Sequence, residues 1–215
     1  MVVVDNASPA RERDRPILEA LARDHGVKLV WHGENVGYGG GMNLALSHTK
    51  APIVLAANPD LLFSEGCVER CLAALLSSEK VGLVGPRGYL DEGKSLVLPV
   101  NQLPTLDDEA IRFRGRFRRS VAAAYALRGA REMEALDRAT APVAVGMLSG
   151  ACLMARRATL ARHGFFDPRF PLFYEDSDLC HRLEELGLSG STCRWPTSSI
   201  SCRGRWRARR ARTIR

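Results

Sequence analysis

The chain has 215 residues, enough for one domain or one of two lobes built on a real core. Its 46% hydrophobic and 26% charged residues exclude a disordered polymer, and its longest uncharged apolar stretch, residues 139–155, is broken by Pro142, Gly146, Ser149 and Gly150, which makes it a poor membrane span. The net charge of +7 is local: seven arginines fall between Arg203 and Arg215, so the body without that tail is near neutral and is not a basic nucleic-acid binder.

Met1-Val-Val-Val-Asp5 lacks the basic flank and the long apolar run of a signal peptide, so a cytoplasmic location is expected. Val2, Val3 and Val4 predict a short buried strand, closed by the turn Asp5-Asn6-Ala7-Ser8-Pro9. A helix comes next, to about residue 24, with Ile17, Leu18 and Leu21 facing inward, and Gly26 ends it. Residues 27–31 predict a second strand. The glycine-rich segment 35–41 then opens a helix to about residue 49. Residues 52–56 predict a third strand, 64–77 a helix and 81–84 a fourth strand. This alternation argues for a mostly parallel sheet with helices on both faces.

Between residues 85 and 141 the pattern weakens, and a second basic run (Arg112, Arg114, Arg116, Arg118, Arg119) mixes with Phe113, Phe117 and Tyr125. Strand character resumes over 143–154. A short helix is expected over 157–163, and a clearer one over 176–186 with Leu179, Leu183 and Leu186 on one face. Residues 198–215 read as an unstructured tail. The six cysteines (67, 71, 152, 180, 193, 202) show no Cys-x-x-Cys pair and read as reduced, mostly buried thiols.

Ligands of open α/β sheets bind beyond the carboxyl ends of the strands. Four polar clusters fall at one such rim: Asp5-Asn6, the 35–41 loop, Asn58-Pro59-Asp60, and Glu175-Asp176. The glycine loop either cradles phosphate through backbone N–H groups at a helix start or allows close helix packing. Its spacing fits neither the dinucleotide fingerprint nor a P-loop, which argues against an NAD enzyme. Asp60 either holds Mg²⁺ or Mn²⁺ against a diphosphate or caps the next helix. Glu175, Asp176 and Asp178 either satisfy a helix N-terminus or include a general base.

Taken in order, these residues resemble glycosyltransferase family 2, the inverting enzymes of GT-A fold, and its rhamnosyltransferase-like branch in particular. The matching stretches are Val-Val-Val-Asp5-Asn6-Ala7-Ser8, Asn35-Val-Gly37-Tyr-Gly-Gly-Gly-Met-Asn43 and Leu-Ala-Ala-Asn58-Pro59-Asp60. They continue with Ser149-Gly-Ala-Cys-Leu-Met154, Gly164-Phe-Phe-Asp167 and Phe173-Tyr-Glu175-Asp176-Ser-Asp178-Leu179. The resemblance spans about residues 2–196. It implies an α/β GT-A (nucleotide-diphospho-sugar transferase) fold and inverting transfer of a sugar to an acceptor hydroxyl, with cell-wall or surface polysaccharide synthesis as the setting.

By resemblance, nucleotide contacts fall to Asp5, Asn6, Ser8, Asn35, Gly37, Asn43 and Asn58, with Asp5 on the base. Asp60 would take the divalent cation (Mn²⁺ or Mg²⁺), and Asp176, with Glu175 beside it, would deprotonate the acceptor. The implied partners are a UDP-, dTDP- or GDP-linked donor and a carbohydrate or lipid-linked glycan acceptor. Residues 1–100 would form the nucleotide-sugar half, 101–141 a basic and apolar connection, 142–197 the acceptor-side and catalytic half, and 198–215 the tail.

Two departures accompany the likeness. The family begins with a strand and helix before the strand at Val2, so the first strand and helix are expected to be missing here. After Trp195-Pro196 the family carries an apolar strand ending in a His; here that place is taken by Thr197-Ser-Ser-Ile-Ser-Cys202 and the arginine tail, and Cys202 is a soft ligand unsuited to a hard cation. These features keep open an inactive remnant that at most binds nucleotide. The basic run and the tail keep open peripheral contact with an anionic membrane, at its inner face, while nucleic acid is not an expected partner.

Overall fold

The structure, a computed structural model, describes residues 1–89, 106–115, 141–193 and 199–202 continuously, with scattered positions between 91 and 139. Strand β1 (Val2–Asn6) leads into α1 (Arg11–His25), and β2 (Lys28–His32) into α2 (Gly37–Ser47). Then come β3 (Ile53–Ala57), β4 (Leu61–Phe63), α3 (Cys67–Leu76), β5 (Val81–Tyr89) and α4 (Leu106–Gly115). The second half holds β6 (Val143–Val145), β7 (Cys152–Arg156), α5 (Arg157–His163), α6 (Glu175–Glu185), β8 (Ser189–Cys193) and β9 (Ser199–Cys202). No helix among the described residues is long and apolar enough to cross a membrane.

The sheet is mixed rather than mostly parallel. Strands β3 and β5 run the same way, as a strand–helix–strand alternation requires, but they do not touch each other. β7 lies between them, antiparallel to both, in the order β3-β7-β5-β8-β6. β8 is parallel to β5 and β6 antiparallel to β8. The expected strand over 143–154 is therefore two strands, divided by a turn that carries Gly150. Residues 199–202, expected in an unstructured tail, form β9, which pairs with β4 and β5. Residues 194–198 and 203–215, including Trp195, Pro196 and the seven tail arginines, lie outside the described residues.

Strands β1 and β2 form a separate parallel pair, in register from Val2 opposite Lys28 to Asn6 opposite His32. With one neighbouring strand among the described residues, β1 is half-buried along its length, not buried as its valines predict. Helix α1 likewise buries no residue fully: of the three residues expected to face inward, Leu18 is half-buried, while Ile17 is 68% and Leu21 40% exposed. Gly26 ends α1 in the left-handed conformation (φ +63°), as predicted.

The core is organised by alternation along β7. Leu153 and Ala155 face Leu160 of α5, Leu179 and Leu183 of α6, and the Phe165-Phe166 stack. Cys152 and Met154 face the opposite side, against Cys67, Cys71, Ala74 and Leu75 of α3. Arg182 ties α6 to the turn after α5: it pairs with Asp178 and donates to the carbonyls of His163 (2.7 Å) and Phe165 (2.6 Å). Cys67, Cys71, Cys152 and Cys180 are buried and outside any disulfide. Burial pushes Cys152 up to about 12 and Cys180 up to about 11, which keeps both as unreactive thiols at neutral pH.

Candidate active site

The first cluster sits where β1 ends. The Asn6 amide donates to Asn35 Oδ1 (3.1 Å) and to the Gly37 carbonyl (2.9 Å), and its Oδ1 accepts the Val36 N–H (3.1 Å). Asn35 Oδ1 also accepts the Gly37 N–H (2.9 Å). Tyr38 N–H donates to the Pro171 carbonyl at 3.0 Å. Three successive amides at the start of α2 are thus satisfied by protein groups. The segment is also a packing joint: Gly39 lies so close to Phe166 that an added Cβ would stand 2.9 Å from the Phe166 Cβ.

Asn43 acts in the same way. Its amide donates to the Phe166 carbonyl (2.7 Å) and accepts the Phe166 N–H (3.1 Å), fastening α2 to the segment that precedes α6. Ser8 sits in the turn after Asp5, its N–H on Asp5 Oδ1 (3.2 Å) and its hydroxyl accepting the Ala10 N–H. These asparagines and Ser8 shape the rim by holding backbone.

The third cluster lies at the end of β3. Asn58 N–H donates to the Ala151 carbonyl (2.9 Å), and the Asp60 residue is exposed in a turn. Strand β4 begins directly after Asp60, and α3 starts only at Cys67, so the helix-capping alternative for this carboxylate is removed. Among the described residues no cluster of three His, Cys, Asp or Glu is arranged to hold a metal ion. A cation that bridges a substrate diphosphate needs only one or two protein carboxylates and keeps several waters. The exposed hard oxygens of Asp60 fit that requirement.

The fourth cluster opens α6. Gly150 N–H donates to Asp176 Oδ2 (2.9 Å), and Ser177 N–H to Asp176 Oδ1 (2.8 Å). The Tyr38 hydroxyl donates to the Gly150 carbonyl (2.5 Å). The 150–151 turn therefore touches the glycine helix through Tyr38, the end of β3 through Asn58, and the acid of α6 through Asp176. Burial, and then the nearby Glu175 and Asp176 carboxylates, push the Tyr38 phenol well above its usual range, so it stays a donor at neutral pH. Phe173 (φ +67°) and Tyr174 (φ +66°), two non-glycine residues in the left-handed region, hold the chain entering α6 in an uncommon conformation.

Glu175 is buried, and its Oε2 has no hydrogen-bond partner among the described residues. Desolvation raises its pKa, the Asp176 charge adds to the rise, and its own backbone N–H pulls the other way. Tyr38, Gly150 and Pro171 join the site without having been named as its residues on sequence grounds. The one signal for Tyr38 is an aromatic side chain inside a run of glycines.

The family model for Glycosyl transferase family 2 matches residues 1–160. The N-acetylglucosaminyl-diphospho-decaprenol L-rhamnosyltransferase of Mycobacterium tuberculosis is 30% identical over 182 residues, 78% of this chain and 56% of that one. The chain thus spans about half the length of this curated relative. Among solved structures, GalNAc-T7 with UDP, GalNAc and Mn²⁺ superposes with a TM-score of 0.65 at 11% identity, over 94% of this chain and 37% of that one. The mannosyltransferase PcManGT of Pyrobaculum calidifontis, with GDP-Man and Mn²⁺, does so with a TM-score of 0.60 at 20% identity, over 96% and 48%. The shared fold is GT-A.

Proposed function

The chain belongs to glycosyl transferase family 2, and on that footing we propose that it moves a sugar from a nucleotide-diphosphate donor to an acceptor hydroxyl with inversion. The observation that carries this reading is the 150–151 turn, which joins Asp176, Tyr38 and Asn58 at one rim. Asp176 takes the proton of the acceptor hydroxyl. The acceptor oxygen bonds to the anomeric carbon from the face opposite the diphosphate, and the bond to the diphosphate breaks. Asp60 would hold a Mg²⁺ or Mn²⁺ ion, whose Lewis acidity offsets charge building on the leaving diphosphate. Residues 1–100 supply the donor side, and residues 142–197 the acceptor side and the base. The name of the mycobacterial relative supports a lipid-linked glycan as acceptor.

The test is thermal stability with UDP, dTDP or GDP, each with and without Mn²⁺. A ligand at a hundred times its Kd adds about 2.7 kcal/mol to the native state, which for a chain of this size is roughly 5–10 °C in Tm. A Mn²⁺-dependent rise with one nucleotide is expected, and Asp60→Ala should remove it while leaving the unliganded Tm within about 2 °C, since Asp60 is exposed. A cooperatively melting protein that shows no rise with any nucleotide would overturn the reading.

The basic segment supports peripheral placement at the inner face of an anionic membrane. Phe113 and Phe117 are 61% and 75% exposed, stack edge to face at 5.4 Å, and alternate with the exposed Arg114 and Arg118. The side chains of Arg112, Arg116 and Arg119, and all of Tyr125, lie outside the described residues. Sedimentation with anionic vesicles should be lost in high salt and weakened by Phe113→Ser with Phe117→Ser; binding that ignores both changes removes this contact.

A further inference from the structure

The carboxylate of Asp5 is held unequally. Its Oδ1 meets the Ser8 N–H at 3.2 Å, Arg11 Nε at 2.7 Å and an Arg11 terminal nitrogen at 2.5 Å. A carboxylate offers about two lone-pair sites on each oxygen, so the hydrogen bonds from the Ser8 N–H and the Arg11 Nε–H fill Oδ1, with the terminal nitrogen beside it as an ion pair. Oδ2 has no partner among the described residues. The pair is enclosed: the Arg11 side chain is 21% exposed and that of Asp5 8%.

Arg11 cannot easily swing away. It also donates to the His32 carbonyl, so it joins the ends of β1 and β2 to the first turn of α1. Its guanidinium lies 5.8 Å from the Trp31 ring centroid, and Arg15 covers the same ring at 4.6 Å. The charge on Asp5 is therefore paired, its position is fixed, and one oxygen is left for a ligand.

We propose that Arg11 makes the donor site selective for a uracil or thymine nucleotide over a guanine nucleotide, by filling Asp5 Oδ1 and leaving Oδ2 as a single acceptor. This rests on the reading of Asp5 as the contact to the donor base. Uracil and thymine present one imide N–H, at N3, and one acceptor oxygen satisfies it. Guanine presents N1–H and an exocyclic N2–H side by side, a fork that needs both carboxylate oxygens. At Asp5 its second donor would be desolvated without a partner. A site that pairs one donor discriminates against a ligand whose extra polar group stays unpaired. Arg11 is a positioning residue here: it acts on the base through the Asp5 carboxylate.

The experiment is calorimetric titration of the full chain with Mn²⁺ and UDP, dTDP, GDP, 3-methyl-UDP or inorganic pyrophosphate. UDP or dTDP should bind at least about tenfold more tightly than GDP, the span of one charged hydrogen bond. Methylation of N3 removes the donor without altering the protein, and 3-methyl-UDP should lose a similar factor. Arg11→Met frees Oδ1 and should narrow the UDP-to-GDP ratio while pyrophosphate binding stays unchanged; a merely structural role would not move that ratio. GDP binding as tightly as UDP and dTDP, or 3-methyl-UDP as tightly as UDP, overturns the selectivity and leaves the donor site standing. Failure of every nucleotide to bind overturns both.

Discussion

Exchanging Asp176 for Asn is expected to lower kcat for sugar transfer by about a thousandfold, the usual span of a lost general base. The same exchange should move the melting temperature by no more than about 2–4 °C, because an Asn oxygen can still accept the Gly150 N–H that Asp176 Oδ2 accepts now. Loss of rate without loss of fold separates a proton acceptor from a structural cap. Both roles are on the same side chain, since Asp176 Oδ1 also accepts Ser177 N–H in the first turn of α6. A variant that keeps its rate would transfer the base role to Glu175.

Glu175→Gln is the partner arm of that test, and its signature is in pH. Desolvation raises the folded-state pKa of Glu175 above its unfolded value. The stability it contributes is therefore present below the unfolded pKa and is lost as pH rises through the folded one. Gln carries no such charge. The melting temperature of the variant relative to the parent should thus rise as the pH climbs above about 4.5, the unfolded value, while the variant retains most of its rate. A relative Tm that falls over that window would mean that the buried carboxylate has a partner when ionised.

What is legible in the sequence is local. The α5 helix lies at the expected residues 157–163. Helix α6 begins one residue before its expectation, with its acids in the first turn. Helical periodicity and Gly26 are read within a few residues of chain, so they survive without tertiary context. Strands β8, Ser-Gly-Ser-Thr-Cys, and β9, Ser-Ile-Ser-Cys, carry no apolar alternation; β8 exists because β5 and β6 flank it, and β9 because β4 and β5 do. Such partners are distant in the chain, and nothing within either segment announces them.

The site divides along the same line. Its residue types are visible, Asp5, Asn35, Asp60 and Asp176 among them, because their order along the chain is itself a signature. Their roles are less visible. An amide side chain looks the same whether it awaits a ligand or closes a loop. Asn6, Asn35 and Asn43 close loops in the fold, and the backbone groups they serve, at 35–37 and at Phe166, would otherwise lose their partners at a crowded joint. In the sequence Arg11 is an ordinary helix residue; its hold on Asp5 emerges only once α1 folds back over the ends of β1 and β2.

That joint makes the second large prediction. An added Cβ at Gly37 would stand 2.3 Å from the Pro171 carbonyl oxygen, on a residue held at φ +75°. Gly37→Ala therefore combines a left-handed backbone penalty of about 1–2 kcal/mol with a backbone clash of about 1–3 kcal/mol. The sum of roughly 3 kcal/mol should depress Tm by roughly 6–12 °C in a chain of this size. Gly26→Ala is the control, because Gly26 has a similar φ of +63° and nothing within 4 Å of its added Cβ; its loss should stop at the backbone penalty alone, about 2–8 °C and below that of Gly37→Ala. The difference between the two variants isolates the contact with Pro171. Relief of that contact would push the 171 loop from the Tyr38 N–H and disturb the bond from the Tyr38 hydroxyl to Gly150, whose N–H in turn holds Asp176. Gly37→Ala should consequently lose turnover below its own melting range, where Gly26→Ala keeps it. Equal losses of stability and rate in the two variants would show that the glycine joint and the base are not mechanically linked.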